Sequence, residues 1–173
     1  MPDLYDVTVV ALVASPVHAF EGRPADGALP DPGPVTHESV EIRAGKGIVG
    51  DRYFGRAAHA DAAVTFFAAE SLDTLSLDPP ADPAATRRNV ILRGFPVDDL
   101  AADRGVFSLD CGAGPVRFRV TRAANPCAWM DVALGPGAFA GLRRHGGIRS
   151  TPLDDGVLRV GPARLWVPSP SGG

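Results

Sequence analysis

Short stretches of alternating or continuous apolar residues recur along the whole chain, a pattern typical of β-strands. The clearest stretch is residues 116–121, where Val116, Phe118 and Val120 alternate with polar side chains. The other predicted strands cover residues 4–14, 39–43, 63–67, 89–92, 106–109, 157–160 and 164–167. The pattern therefore predicts seven or eight short strands.

Turn residues predict how some of these strands connect. The glycine-rich residues 110–115 predict a hairpin between the strands at 106–109 and 116–121. Gly161 and Pro162 predict a second hairpin that joins the last two strands.

Two or three minor helices complete the prediction. Ala69, Leu72 and Leu75 recur at helical spacing and predict a short helix after the strand at 63–67. Residues 139–144 predict another, which Gly146 and Gly147 would end.

Strands without a regular strand–helix alternation favour a mainly β fold, a closed or nearly closed β-barrel, because closure removes exposed strand edges. The length of 173 residues predicts a single domain, residues 1–173. Five prolines mark residues 15–35 as an irregular excursion, and residues 168–173 are expected to form a flexible tail.

Composition narrows the function classes. A net charge of −3 gives no basic footprint for nucleic-acid binding. The apolar stretch at 7–14 is far shorter than the roughly 20 residues of a membrane helix. No basic region precedes it, so neither membrane insertion nor secretion is expected. Two cysteines, Cys111 and Cys127, form no disulfide framework, and we expect a cytoplasmic protein with free thiols.

Several catalytic motifs can be set aside. Residues 45–50 match the glycine pattern of a dinucleotide site, but the residues that follow are poor helix formers. The same segment is better interpreted as a turn that delivers Asp51 and Arg52 to a site. The four histidines lack zinc-site spacing, and neither a phosphate-binding loop nor a serine nucleophile elbow is present.

Two motifs remain open. Arg87, Arg88 and Asn89 directly precede a predicted strand, where they could form a solvated entry or bind an anionic ligand. Cys127 follows Pro126 after the clearest strand and could be a nucleophile, a sulfur carrier, a soft metal ligand or an inert buried thiol. Cys111, in its glycine-rich turn, is expected to be either an inert buried thiol or a harmless exposed one.

In this order the motifs resemble the MOSC domain, named for the C-terminal part of molybdenum cofactor sulfurase. The resemblance extends over about residues 4–167. The matching residues are Gly50-Asp51-Arg52, Arg87 to Val90, Gly146, Gly147, Pro126-Cys127 and Gly156 to Gly161. It implies a β-barrel with a cysteine central to sulfur or molybdenum chemistry.

Similarity to the amidoxime-reducing members implies specific roles. Cys127 would ligate the molybdenum of the molybdopterin cofactor, and Arg52, Arg87 and Asn89 would hold that cofactor. Asp51, the neighbour of Arg52, is also expected to bind the cofactor. His18, in Pro16-Val17-His18, stands where the family has lysine and would lie at the phosphate end.

Two functions follow from the resemblance. The first is an oxidoreductase that reduces small N-hydroxylated compounds with electrons from an external donor protein. The second is a sulfur carrier or cofactor-handover module that holds a persulfide on Cys127, supplied by a sulfur-donor protein. A barrel with an unused thiol is the structural alternative.

Overall fold

The computed structural model of the protein describes residues 2–169 and contains ten strands within that range. They are β1 (Asp3–Leu12), β2 (Ser39–Arg43), β3 (Gly47–Ile48), β4 (Val64–Ala68), β5 (Val90–Arg93), β6 (Val106–Asp110), β7 (Pro115–Ala123), β8 (Ile148–Pro152), β9 (Gly156–Arg159) and β10 (Gly161–Val167). Seven of them close a barrel in the order β1-β10-β6-β7-β8-β4-β5. The closing pair β5–β1 is antiparallel, and only β4 and β5 run parallel within this barrel. The predicted mainly β, barrel-forming fold is confirmed.

The predicted hairpin between the last two strands is wrong. β9 pairs with β2 in a separate three-stranded sheet, ordered β3-β2-β9, whereas β10 pairs with β1 and β6 in the barrel. Gly161 adopts a φ of 120°, which is open to glycine and strained for other residues. The chain therefore turns from one sheet into the other at this residue.

Two strands, β3 and β8, are missing from the sequence prediction. In β8, the buried residues Ile148 and Ser150 alternate with Arg149 and Thr151. The Ser150 hydroxyl donates a hydrogen bond to the Val64 carbonyl oxygen at 2.7 Å. A polar residue on the inward face weakens the apolar alternation that identifies a strand.

The helices are short and lie outside the strand ladder. They are α1 (Ala69–Asp73), α2 (Leu100–Asp103), α3 (Trp129–Ala133) and α4 (Ala138–Gly141), with 3₁₀ turns at Pro24–Asp26, Ala57–Ala62, Pro83–Thr86 and Val97–Asp99. The helix predicted at 139–144 is thus shorter and starts one residue earlier. No helix in the described part of the chain is long and apolar enough to cross a bilayer.

The β4–β5 part of the barrel wall is buried on both faces. Inside, the rings of Phe66, Phe107 and Phe118 pack with centroids 4.9–5.5 Å apart. Outside, a second cluster contains Phe67 and Ile91 together with residues of the short helices. Burial on the outer face fixes α3 and α4 against the wall and so positions the segment that precedes α3.

The proline-rich excursion at 15–35 is irregular as predicted, apart from one 3₁₀ turn. It is tied to the end of β1 by a hydrogen bond from the Ala14 amide to the Val35 carbonyl oxygen at 2.9 Å. Of the predicted tail at 168–173, residues 168 and 169 have no regular structure, and residues 170–173 lie outside the described residues.

Candidate functional site

Asp51 and Asn89 meet in a buried hydrogen-bond network behind the site. The Asn89 amide nitrogen donates to the Val13 carbonyl oxygen at 2.9 Å and to Asp51 Oδ1 at 3.4 Å. Its oxygen accepts from the Thr65 amide and hydroxyl at 2.9 and 3.1 Å. The polar atoms of the Asn89 side chain are therefore all used within the protein, where they join β1, β4 and the turn at Asp51.

Arg87 is paired with a carboxylate of the proline-rich excursion. Its guanidinium contacts both oxygens of Asp31, at 2.9 and 3.2 Å, and donates to the Val17 carbonyl oxygen at 3.1 Å. Burial would raise the pKa of Asp31, but hydrogen bonds from Arg87 and Ser15 outweigh it and lower that pKa below its usual value. The ion pair fixes the excursion against the start of β5.

A ring stack connects the same excursion to the segment that carries Cys127. Phe20 stacks on Trp129 with centroids 5.0 Å apart, and the Arg87 guanidinium lies 5.9 Å from the Phe20 ring. Trp129 begins α3, two residues after Cys127. The excursion, Arg87 and α3 therefore form one packed wall beside the thiol.

The thiol of Cys127 is exposed, so it is not an inert core residue. It lies close enough to the Arg88 guanidinium for their charges to interact. Arg88 donates from Nε to the Gly146 carbonyl oxygen at 2.8 Å and from Nη2 to the Asn125 carbonyl oxygen at 3.3 Å. Burial, and after it the charge of Arg149, lower the pKa of Arg88 to about 10, so it stays charged at neutral pH.

Two further arginines, unrecognised in the sequence, extend this positive charge. Arg149 interacts with Arg88 and Arg122, and burial together with Arg122 lowers the pKa of Arg149. We call Arg52, Arg88, Arg122 and Arg149 the arginine cluster. No ion pair among the described residues involves Arg88, Arg122 or Arg149. The cluster is therefore a surface suited to an anion.

Arg149 of the cluster lies on the outer face of the barrel wall. Ile148 and Ser150 are fully buried, so alternation directs Arg149 outward. Thr65, its direct partner on β4, is also an outward residue between two core side chains. Only the alternation of residues in β8 could have indicated from the sequence that Arg149 belongs to this site.

Arg52 connects the cluster to a neighbouring cleft. Its Nη1 lies 3.7 Å from Asp51 Oδ1, and its guanidinium lies 4.6 Å from the centre of the Tyr53 ring. Its Nε is buried and has no hydrogen-bond partner in the described residues. An unsatisfied buried donor is costly, and an acceptor supplied by a ligand would remove that cost.

The cleft encloses about 400 Å³ and is lined by Pro16, His18, Glu21, Arg52, Tyr53, Arg56 and His59. Burial, and after it the charge of Arg52, lower the pKa of His18, which favours the neutral ring at neutral pH. His18 therefore lies beside Arg52 as a neutral hydrogen-bonding group.

The other notable features lie elsewhere. The larger cavity of about 590 Å³ is lined by Tyr5, Phe95 and Leu100 among others, and neither Cys127 nor the arginine cluster lines it. Cys111 is half-buried against the core, and burial raises its pKa, which agrees with an inert thiol.

No group of three or more histidine, cysteine or carboxylate side chains within residues 2–169 is arranged to hold a metal ion.

Comparisons with known proteins show the family and the fold. The family model described as MOSC domain matches residues 41–163, which include Cys127 and the whole arginine cluster. The YuaD protein from Bacillus subtilis is 15% identical with a TM-score of 0.72, over 98% of this chain and 100% of that one. YiiM from Geobacillus stearothermophilus is 18% identical with a TM-score of 0.64, over 96% of this chain and 77% of that one. No curated protein matches the chain.

Proposed function

Because the chain belongs to the MOSC domain family, we propose that it binds a molybdenum cofactor, with the Cys127 thiolate as the protein ligand of molybdenum. One observation carries this proposal. The exposed thiol of Cys127 lies beside a cluster of arginines, three of which form no ion pair with a carboxylate among the described residues. A soft thiolate suits molybdenum, and guanidinium groups suit the phosphate of a pterin cofactor.

The residues of the site fit such a group. The buried Nε of Arg52 lacks an acceptor, which a phosphate oxygen would provide. His18 and Tyr53 line the same cleft and can donate or accept hydrogen bonds. We expect Arg52, Arg88 and Arg149 to contact the cofactor, and Asp51, Arg87 and Asn89 to hold the wall behind it.

When bound, the cofactor supplies the two-electron chemistry of molybdenum. The protein residues bind and orient it. Two backbone carbonyl groups fix the guanidinium of Arg88 and keep a positive charge beside the Cys127 sulfur, where it can contact an anionic cofactor. The exposure of Cys127 leaves the site open to a small substrate.

We further propose that the substrate is an N-hydroxylated compound. Its reduction breaks the N–O bond, consumes two electrons and two protons, and yields an N–H group and water. The chain carries no flavin or iron–sulfur motif, so the electrons would come from an external donor protein of that kind.

Molybdenum and pterin analysis of protein purified from a cofactor-competent host tests the proposal. We expect about one molybdenum and one pterin per chain in the wild type, because one thiolate ligates one metal. Cys127→Ser should lose most of the metal, whereas Cys111→Ser should retain it. Pure, folded wild-type protein without molybdenum or pterin would contradict the proposal.

The exposure of Cys127 also supports a second function, that of a sulfur carrier. Intact-mass analysis distinguishes the two, because a persulfide adds about 32 Da to the chain. A persulfide on Cys127 in protein that never acquires molybdenum would favour the carrier. A free thiol in the metal-free protein, with metal uptake in the competent host, would favour the cofactor-binding protein.

A further inference from the structure

We propose that Asp98 is a positioning residue for Cys127 and Arg88, because its carboxylate holds the Gly146–Gly147 segment against which both are placed. The inference rests on the proposed function for the identity of the group that the site binds. Its test uses protein without cofactor.

The Asp98 carboxylate is hydrogen-bonded directly to this segment. It lies in the 3₁₀ turn Val97–Asp99, and its Oδ1 accepts a hydrogen bond from the Gly147 amide at 2.8 Å. The Asp98 Oδ2 atom lies 3.7 Å from Nδ1 of His145. Its side chain is only 18% exposed, so the carboxylate has a defined position.

The carbonyl groups of the same two glycines are hydrogen-bonded to the candidate site. The Gly146 carbonyl oxygen accepts from Arg88 Nε at 2.8 Å, and the Gly147 carbonyl oxygen accepts from the Ala124 amide at 2.8 Å. Ala124 lies three residues before Cys127. The segment is therefore hydrogen-bonded to Asp98, to Arg88 and to the stretch of chain that leads to the thiol.

The packing around the glycines leaves no room for this segment to shift towards its neighbours. A Cβ at Gly146 would lie 2.0 Å from the Ala124 carbonyl oxygen and 2.9 Å from the Pro126 ring. A Cβ at Gly147 would lie 2.0 Å from the Phe66 carbonyl oxygen. The glycine backbones therefore lie close against those of residues 66 and 124, and a close-packed segment passes a displacement on to its neighbours. Release of the segment by loss of the Asp98 bond would move Arg88 relative to Cys127.

The charge that Arg88 presents to the thiol provides a readout. Metal-free protein is alkylated with iodoacetate, an anion, and with iodoacetamide, which is neutral, and peptide mass spectrometry follows Cys127 separately from Cys111. The ratio of the two rates cancels the thiolate fraction and reports the local positive charge. A loss of stability alone would not change this ratio in the folded molecules.

Two variants at Asp98 remove the same negative charge, but only one of them keeps a hydrogen-bond acceptor. Asp98→Asn retains an oxygen for the Gly147 amide and should leave the rate ratio near that of the wild type. Asp98→Ala lacks the acceptor, and its iodoacetate-to-iodoacetamide ratio should fall about threefold as the Arg88 charge moves away. The control Asp99→Ala removes an exposed neighbouring charge and should behave like the wild type.

An unchanged ratio in folded Asp98→Ala would overturn the inference, and so would an equal fall in Asp98→Asn. If Asp98→Ala does not fold, Asp98→Ser is used, since its hydroxyl is too short to reach the Gly147 amide. Absence of molybdenum from the wild type would refute the proposed function and leave this result unaffected.

Discussion

Two adjacent arginines illustrate how differently neighbouring residues can be used. Arg87 has a left-handed φ of 59° at the end of a 3₁₀ turn, so its side chain and that of Arg88 leave the chain in different directions. Arg87 binds Asp31 and fixes the proline-rich excursion, whereas Arg88 lies beside Cys127. At the scale of single residues, the first stabilises the wall and the second supplies the charge of the site.

The Arg87–Asp31 pair predicts a pH-dependent contribution to stability. Asp31→Asn should lower the free energy of unfolding at pH 7 by about 2 kcal/mol, because it removes charge-assisted hydrogen bonds to a buried guanidinium. The pKa of Asp31 is lowered in the folded protein. The stabilisation is therefore fully present above the ordinary value of 3.8 and is lost as the pH falls through the folded value.

Urea unfolding at several pH values measures this difference. Asp26→Asn, which affects an exposed pair with Arg23 in the same excursion, is the matched control and should have no measurable effect. Equal effects of the two substitutions at pH 7, or a difference that does not begin to shrink as the pH falls below 3.8, would count against the assigned role of Arg87.

At the scale of elements, the strands with a clear apolar period could be predicted and those shaped by tertiary contacts could not. β2 has the bounds that alternation predicts, and β6 and β7 form the predicted hairpin. β8 was missed because its inward residue Ser150 is polar and is satisfied by Val64, a partner distant in sequence. β9 and β10 belong to different sheets, which local turn chemistry cannot reveal.

The Gly146–Gly147 segment just before β8 gives a prediction at this scale. Gly147→Ala should lower the free energy of unfolding by more than about 3 kcal/mol, since the new Cβ would lie 2.0 Å from the Phe66 carbonyl oxygen. Gly137→Ala is the matched control. Gly147 and Gly137 have φ values of 91° and 90°, but a Cβ at Gly137 would meet nothing within 4 Å.

Gly137→Ala should therefore cost only the backbone strain of about 1 kcal/mol. Thermal and urea unfolding of the two variants measure the difference. Similar stabilities would mean that the close approach of β4 to the glycine segment is not a constraint on the fold.

At the scale of the whole molecule, the closed barrel has a filled interior, and the candidate site lies outside that interior. Phe66, Phe107 and Phe118 fill the interior, so the candidate chemistry lies outside. The arginine cluster is assembled from β7, β8 and the segments that hold Arg52 and Arg88. Cys127 could be selected from its local motif, but the position of Arg149 beside Arg88 is known only once β8 is paired with β4.

The assignment of Cys127 as the molybdenum ligand is tested most directly by asking whether bound molybdenum protects this thiol from alkylation. Protein from a cofactor-competent host is treated with N-ethylmaleimide, and the modification of Cys127 and Cys111 is quantified by peptide mass spectrometry beside the molybdenum content. We expect the unmodified fraction of Cys127 to equal the molybdenum occupancy, because a ligated thiolate cannot react. Modification of Cys111 should be independent of metal. Complete modification of Cys127 while molybdenum stays bound would contradict the assignment of this thiol as the metal ligand.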